Sequence, residues 1–208
     1  HTEVARAALH APDATLLTLI LRSSDETRVY SATHVLLVAS VCMLVARDGL
    51  HWSPERAARA GRLALSMNIS MTELQDRLAQ QSAPLSGGQI AQIQDHAERS
   101  ASMLASLGVS DRIGLDAVRQ HHDRAPGPLA GRSEAARISR RVQRTDIFAA
   151  RLAPRSGRTP MAVTAAIKAC YYGEDRQVDE AGASMLHTLG IYPPGSLVKL
   201  TSEETAVV

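Results

Sequence analysis

The sequence predicts an all-α domain that ends in a small β-hairpin. Apolar side chains recur three and four positions apart through most of the 208 residues, which is the spacing of a buried helix face. Ala, Leu, Val and Ile supply the apolar content, with one Trp and one Phe, and this composition favours packed helices over an aromatic-rich sheet. After "GIYPPGS" (190–196) the pattern changes to alternation in "LVKLT" and "ETAVV", which indicates a hairpin at about 197–208.

The region before the hairpin is predicted to hold seven to nine helices. Two of their starts carry caps: Ser53 stands before Pro54 at a first helical position, and Ser133 stands before Glu134, whose negative charge suits a first turn. The segments with helical periodicity are, in chain order, 13–22, 30–47, 53–67, 71–80, a long segment ending at 108, 111–122, 133–152, 159–172 and 176–188.

The length allows one large domain or two small ones. No internal repeat or linker divides the sequence, so we expect a single domain over 1–208, as a fragment of a longer chain. The formal charge of +2 is too small to indicate nucleic acid as a partner. No apolar run is long enough to insert in a membrane and no signal peptide is recognisable, so a cytoplasmic location is expected. Cys42 and Cys170 lie in separate apolar runs, which favours two buried thiols over a disulfide.

Several side chains suited to metal binding fall on inward helix faces. His34, His96 and Asp146 each lie on a predicted apolar stripe, where a titratable group needs a partner. His121 and His122 stand side by side before a Pro/Gly-rich loop. Ligands of these types from several helices suit a transition-metal site in a bundle. Other interpretations stay open: satisfied core histidines, an Asp paired with an Arg, and a histidine pair that faces solvent.

The order of these residues resembles a known family. The stretches that carry the resemblance are "YSATH" (30–34), "PLSGGQIAQIQDHAERSASML" (84–104), "VRQHHDR" (118–124), "ARISRRVQRTDIFAARL" (136–152) and, most specifically, "GIYPPGSLVKLTSEETAVV" (190–208). Together they are similar to the HD-GYP branch of the HD-domain phosphohydrolases, over roughly residues 12–208.

This resemblance implies an HD-domain helical bundle around two or three metal ions, usually iron or manganese. It also implies hydrolysis of the bacterial second messenger cyclic di-GMP to pGpG or GMP. By position, His34 corresponds to the first metal ligand. His96, His121 and His122 correspond to the later histidine ligands, and Asp146 corresponds to the last carboxylate ligand.

Two motifs of the family are missing. Met67 and Asn68 occupy the positions of the His-Asp dipeptide. The neutral Asn68 cannot bridge two metals as a carboxylate does, and Met67 is also simply a member of an apolar helix face. The loop "DRAPGPLAGR" (123–132) lacks Gly-Tyr-Pro, and Tyr30 stands where a three-metal variant has an acidic residue. Three imidazoles can still hold one Zn, Mn or Fe ion. One or two divalent metals, or none, are therefore compatible with the sequence.

Whether the chain is an enzyme stays open at this level. The first hypothesis is a degenerate HD-GYP domain of cyclic di-GMP signalling, with weak or no phosphodiesterase activity and a sensory or partner-binding role. The alternative is an active metal-dependent phosphodiesterase that recruits Asn68 with Asp95 or Asp123. A weaker third is a non-enzymatic HD-type domain that recognises only protein. The expected partners are accordingly cyclic di-GMP and signalling proteins.

Arginines are concentrated in 132–158, which holds eight of them. In the family, basic residues after the metal-binding Asp contact substrate phosphate, and Arg155 and Arg158 fall near that region. Guanidinium groups bind phosphate through paired hydrogen bonds. A solvated helix face, with arginines paired to Glu and Asp, is an equally open interpretation.

Overall fold

The computed structural model describes residues 7–25, 27–125, 127–154 and 159–208. Within these ranges nine α-helices and one two-stranded hairpin are delimited, which confirms the predicted all-α class. Their bounds are α1 Pro12–Asp25, α2 Tyr30–Leu44, α3 Pro54–Ser66, α4 Thr72–Gln80, α5 Gly87–Ser106, α6 Arg112–Arg119, α7 Glu134–Leu152, α8 Val163–Tyr171, α9 Glu180–Leu189, β1 Leu197–Lys199 and β2 Thr205–Val207.

Side-chain caps set several helix starts. Ser53 accepts a hydrogen bond from the Arg56 amide at 3.4 Å, and Ser133 accepts one from the Ala136 amide at 3.2 Å, so both predicted caps are confirmed. Each cap satisfies one of the amides that the first turn leaves without a helical partner. The long helix α5 begins with a reciprocal capping box between Ser86 and a glutamine three residues later.

Helix α2 forms the centre of the bundle. Eleven of its fifteen residues are buried, and it packs against α1, α3, α4 and α7. The prediction that no apolar stretch is long enough for a membrane is wrong by length and composition: among the described residues, one helical segment, Tyr30–Gly49, is long and apolar enough to span one. In this structure 72% of its apolar window is buried inside the protein, as expected for a core helix.

The chain does not continue α2 as a regular helix to Arg47. The α-helix ends at Leu44, and Val45–Gly49 form a π-helical turn against which α9 packs. A Cβ at Gly49 would collide with the Thr188 hydroxyl of α9, so any larger residue requires the Thr188 side chain to move.

Helix α6 is shorter than the sequence predicts. It ends at Arg119, so the histidine pair does not lie on the helix but in the turn that follows it. The backbone amide of His121 bonds the carbonyl of Val118, three residues back instead of four, and the Asp123 amide bonds the carbonyl of Gln120. These bonds tighten the chain into a turn and end the helix.

The predicted hairpin is confirmed at the C-terminal end. β1 and β2 are antiparallel, with Leu197 opposite Val207 and Lys199 opposite Thr205.

Candidate metal centre

Three imidazoles meet at one end of the α5–α6 pair. His96 lies on α5, and His121 and His122 lie in the turn after α6. The Nε2 atom of His96 is 3.1 Å from the Nε2 atoms of both His121 and His122. One ligand atom from each residue lies within 4.8 Å of the other two. Among the described residues this is the only such group of three or more His, Cys, Asp or Glu side chains.

Backbone carbonyls orient two of these rings. Nδ1 of His96 is 2.6 Å from the carbonyl oxygen of Ile93, and Nδ1 of His121 is 2.6 Å from that of Val118. A carbonyl can only accept, so each Nδ1 carries the proton and donates it. Each Nε2 is then a lone-pair acceptor, and two acceptors 3.1 Å apart cannot bond each other. A shared cation would satisfy them, and a fixed Nδ1–H contact is the usual support for an imidazole that binds metal through Nε2.

The surroundings favour the neutral form of two of these rings, although His122 is exposed whereas His96 and His121 are buried. His121 is completely buried, and the loss of hydration, together with the neighbouring His122 ring, lowers its pKa to about 4. Burial and the nearby His96 ring also lower the pKa of His122, although Asp146 acts in the opposite direction. Both imidazoles are therefore neutral near pH 7, as metal ligands must be.

The other two predicted ligands form a hydrogen-bonded pair. Nε2 of His34 is 2.7 Å from Oδ1 of Asp146, and the Tyr30 hydroxyl is 3.3 Å from Nδ1 of His34. Burial on its own would raise the pKa of Asp146, but the hydrogen bond from His34 and the nearby imidazoles outweigh it and lower the pKa to about 2. Asp146 is therefore anionic, and both nitrogens of His34 already have partners.

A cavity of about 210 Å³ joins the two groups. Four of the five predicted ligands line it: His34, His96, His122 and Asp146. The fifth, His121, contacts His96 and His122 but is not part of the cavity wall. The structure thus brings all five predicted residues together. Their role as metal ligands remains a prediction.

Met67 and Asn68, which stand at the positions of the His-Asp dipeptide, lie in different surroundings. Met67 is fully buried in the apolar core, as its place on an apolar helix face predicts, and it does not line the cavity. Asn68 is 4% exposed and does line the cavity. Asp95 and Asp123, the carboxylates considered as substitute ligands, are exposed and lie outside the cavity wall.

Gln75 is a cavity residue that the sequence reasoning missed. It lies on α4, lines the cavity and is 9% exposed, and its Oε1 atom has no hydrogen-bond partner within the described part of the chain. A buried acceptor without a partner costs free energy, so such a group calls for an explanation. The signal in the sequence was a glutamine next to Leu74, on the side of α4 that also buries Ala79.

Two arginines of α7 form ion pairs with carboxylates. Arg140 and Arg144 are each 4% exposed and bind Glu174 and Asp179 at distances of 2.7 to 3.3 Å. These two arginines are therefore paired with Glu and Asp, as one of the two interpretations of the sequence expected. They are buried, however, and do not form a solvated helix face. Arg155 and Arg158, predicted to bind phosphate, lie outside the described residues.

Comparisons with known proteins give a distant similarity. No protein-family model and no solved structure matches the chain. A cyclic di-GMP phosphodiesterase of Pseudomonas aeruginosa is 23% identical to it over 210 residues, which cover 99% of this chain and 50% of that protein. The chain thus spans about half the length of this relative.

Proposed function

We propose that the chain is a degenerate HD-GYP domain of bacterial cyclic di-GMP signalling in the cytoplasm. In this proposal it binds one transition metal ion, Zn, Mn or Fe, through His96, His121 and His122. It hydrolyses cyclic di-GMP weakly or not at all, and acts as a sensor or partner-binding module. The observation that carries the proposal is the set of three converging Nε2 atoms beside a cavity that Asn68 lines, at the position where the family resemblance implies a carboxylate.

The charge of the cavity supports a single ion. Asp146 is the only carboxylate among the described residues that line it, and the imidazoles whose pKa is lowered are neutral. Two divalent ions would bring four positive charges next to one negative charge in a largely buried site. Buried charge without compensation is costly. One ion held by three imidazoles meets a much smaller penalty.

The ligand set limits the chemistry. A metal bound by the three imidazoles would polarise a phosphoryl oxygen or lower the pKa of a bound water. The chain also supplies Asp146 and His34 to the wall of the cavity, already paired to each other. Efficient in-line displacement benefits from clamping both the attacking and the leaving oxygen, for which a second ion is the usual device. The single-ion site therefore supports nucleotide binding better than turnover.

Gln75 and Asn68 give the cavity the means to recognise a polar ligand. Among the described residues, Oε1 of Gln75 has no hydrogen-bond partner, and the Asn68 side chain makes no cap hydrogen bond to the helical turn that follows it. A ligand that carries N–H donors and carbonyl acceptors, as the guanine base of cyclic di-GMP does, would satisfy them.

Metal content and cyclic di-GMP turnover, measured on the same preparation, test this proposal. We expect one tightly held metal ion, measurable binding of cyclic di-GMP and negligible hydrolysis, with the Pseudomonas aeruginosa phosphodiesterase as positive control. His121→Gln should lose the metal, whereas His10→Gln, a change at an exposed histidine, should keep it.

Two outcomes would contradict it. Two metal ions with brisk hydrolysis would favour the active phosphodiesterase with an altered ligand set. A metal-free chain that does not bind the nucleotide would favour the domain that recognises only protein.

A further inference from the structure

A second cavity lies apart from the candidate metal centre. Its volume is about 320 Å³, and it lies between α3, the end of α5 and α6. It shares no lining residue with the first cavity. Its apolar wall consists of Leu63, Leu65, Leu104, Val109, Leu115 and Val118.

Charged groups are confined to a few positions of this second cavity. Asp111 uses both oxygens within the protein: Oδ2 accepts from Nε of Arg59 at 2.8 Å, and Oδ1 accepts from the Gly114 amide at 3.1 Å. Arg59 also contacts Glu134 at 3.5 Å. Arg62 is exposed, and its guanidinium has no hydrogen bond or ion pair to any residue in the described part of the chain.

These features define the occupant. The wall offers apolar contact and few polar groups, so the body of the ligand must be apolar. Arg59 and Asp111 balance each other, which leaves one uncompensated positive charge, on Arg62. Guanidinium groups bind carboxylate or phosphate through paired hydrogen bonds. The volume is at the lower end of small-molecule sites, whereas a protein partner needs a surface of about 800 Å² on each side.

We propose that this cavity is a binding site for a small amphiphile with one anionic head and an apolar body, of the fatty-acid class. The acyl chain lies between Leu104 of α5 and Leu115 of α6, and its carboxylate binds Arg62. This proposal does not rest on the function proposed for the metal centre: the two cavities share no lining residue, although Val118 of this wall also accepts the Nδ1–H of His121 through its carbonyl.

Titration calorimetry with three probes tests the site: decanoate, decanol and decyltrimethylammonium, each below its micelle concentration. Decanoate should bind best, decanol more weakly and the cation least. Arg62→Gln should weaken decanoate binding about fivefold, the size of an exposed ion pair, and leave decanol unchanged. Arg112→Gln removes the same charge from an exposed position outside the cavity and should change neither.

A second variant tests the apolar wall. Val109 is 40% exposed at the rim, so Val109→Trp can fill the cavity without disturbing the core. This variant should lose binding of both decanoate and decanol while its helical circular dichroism stays that of the wild type. Equal affinity for the three probes, no binding by any of them, or decanoate binding that survives Val109→Trp would overturn the proposal.

Discussion

At the scale of single residues, the backbone carbonyls behind His96 and His121 matter most. Each carbonyl holds an Nδ1 proton, so the Nε2 lone pairs of His96 and His121 face each other and cannot bond each other, while Nε2 of His122 lies 3.1 Å from that of His96. Two buried lone pairs at this distance repel each other, and a bound cation would turn the repulsion into attraction. If these rings bind a metal ion as we propose, the metal-free protein is preorganised for it at some cost to its own stability.

Asn68→Asp should add a second metal ion. The new carboxylate would face the cavity that Asp146 lines, so without metal the two negative charges should lower the melting temperature. With Mn or Zn the loss should reverse, and the metal content should rise from one ion towards two. Met67→His would place an imidazole in the apolar core, so it is not a suitable companion substitution.

Asn68→Ala is the matched control, since it removes the amide oxygen without adding charge. The two variants are compared by their metal content, measured by mass spectrometry, and by their melting temperatures with and without metal. An unchanged metal content in Asn68→Asp would show that Asn68 does not lie where a bridging ligand would stand.

His121 should make the metal-free protein less stable in mild acid. Its pKa is about 4 in the folded protein and about 6.5 in an unfolded chain. Between these values the unfolded chain binds more protons, so stability is full above about pH 6.5 and falls as the pH drops towards about 4. The full shift corresponds to about 3 kcal/mol.

Urea unfolding with a chelator, at several pH values within this window, measures the effect. His121→Gln cannot take up the proton, so its free energy of unfolding should fall less steeply with pH than that of the wild type. His10→Gln should follow the wild type. Parallel curves for the wild type and His121→Gln would refute the assignment to His121.

At the scale of elements, a buried ion-pair network fastens α9 to α7. Asp179 caps α9 through the Gly182 amide at 2.9 Å and also binds Arg140 and Arg144 of α7. Gly182 brings α9 so close to the end of α8 that a Cβ there would collide with the carbonyl of Cys170. The cap, the ion pairs and the glycine together fix where α9 lies.

Asp179→Ala should be strongly destabilising. It removes the cap and takes one carboxylate from two guanidinium groups that are each 4% exposed. Breaking a buried pair from one side costs about 3 kcal/mol or more. Glu203→Ala breaks the exposed pair with Lys199 and should change the free energy of unfolding little. Urea unfolding compares the two variants, and equal small losses would contradict the structural role of the network.

The sequence predicted the capped helix starts well, whereas the starts of α8 and α9, for which no cap was identified, lie four residues later than predicted. Ser53 and Ser133 are local signals, because a cap bonds an amide only three residues away. The end of α6 and the π-helical turn after α2 depend on contacts that spacing does not encode, such as the His121 ring on the Val118 carbonyl and Thr188 against Gly49. Apolar spacing identified His34, His96 and Asp146 as inward-facing, but it gave no reason to select Gln75.

At the scale of the whole molecule, most of the apolar core lies in helices that carry none of the three histidines. The main cluster of buried apolar residues is centred on α1, α2, α3, α7 and α8, and only Ala101 of α5 and Ala117 and Val118 of α6 come from the two helices beside the histidine group. This differs from small zinc domains, in which the metal supplies the folding energy.

Chelation should therefore leave the fold intact. We expect the metal-stripped protein to keep its helical circular dichroism and a cooperative thermal transition. Adding Zn or Mn back should raise the melting temperature in proportion to the logarithm of free metal well above the dissociation constant. The His121→Gln variant should not show this rise. Loss of helicity on chelation would mean that the centre is structural and not a binding site on a preformed bundle.

The contact between Trp52 and two arginines has a spectroscopic consequence. The indole ring lies 3.9 Å from the guanidinium carbon of Arg56 and 5.0 Å from that of Arg141, measured to the ring centre, and packs against the apolar core. Trp52 is the only tryptophan in the chain. Its fluorescence therefore reports on one place, where α3 meets α7, and its emission should shift to longer wavelength when these helices separate. The intrinsic fluorescence of the protein therefore follows the packing of α3 against α7 during folding and unfolding.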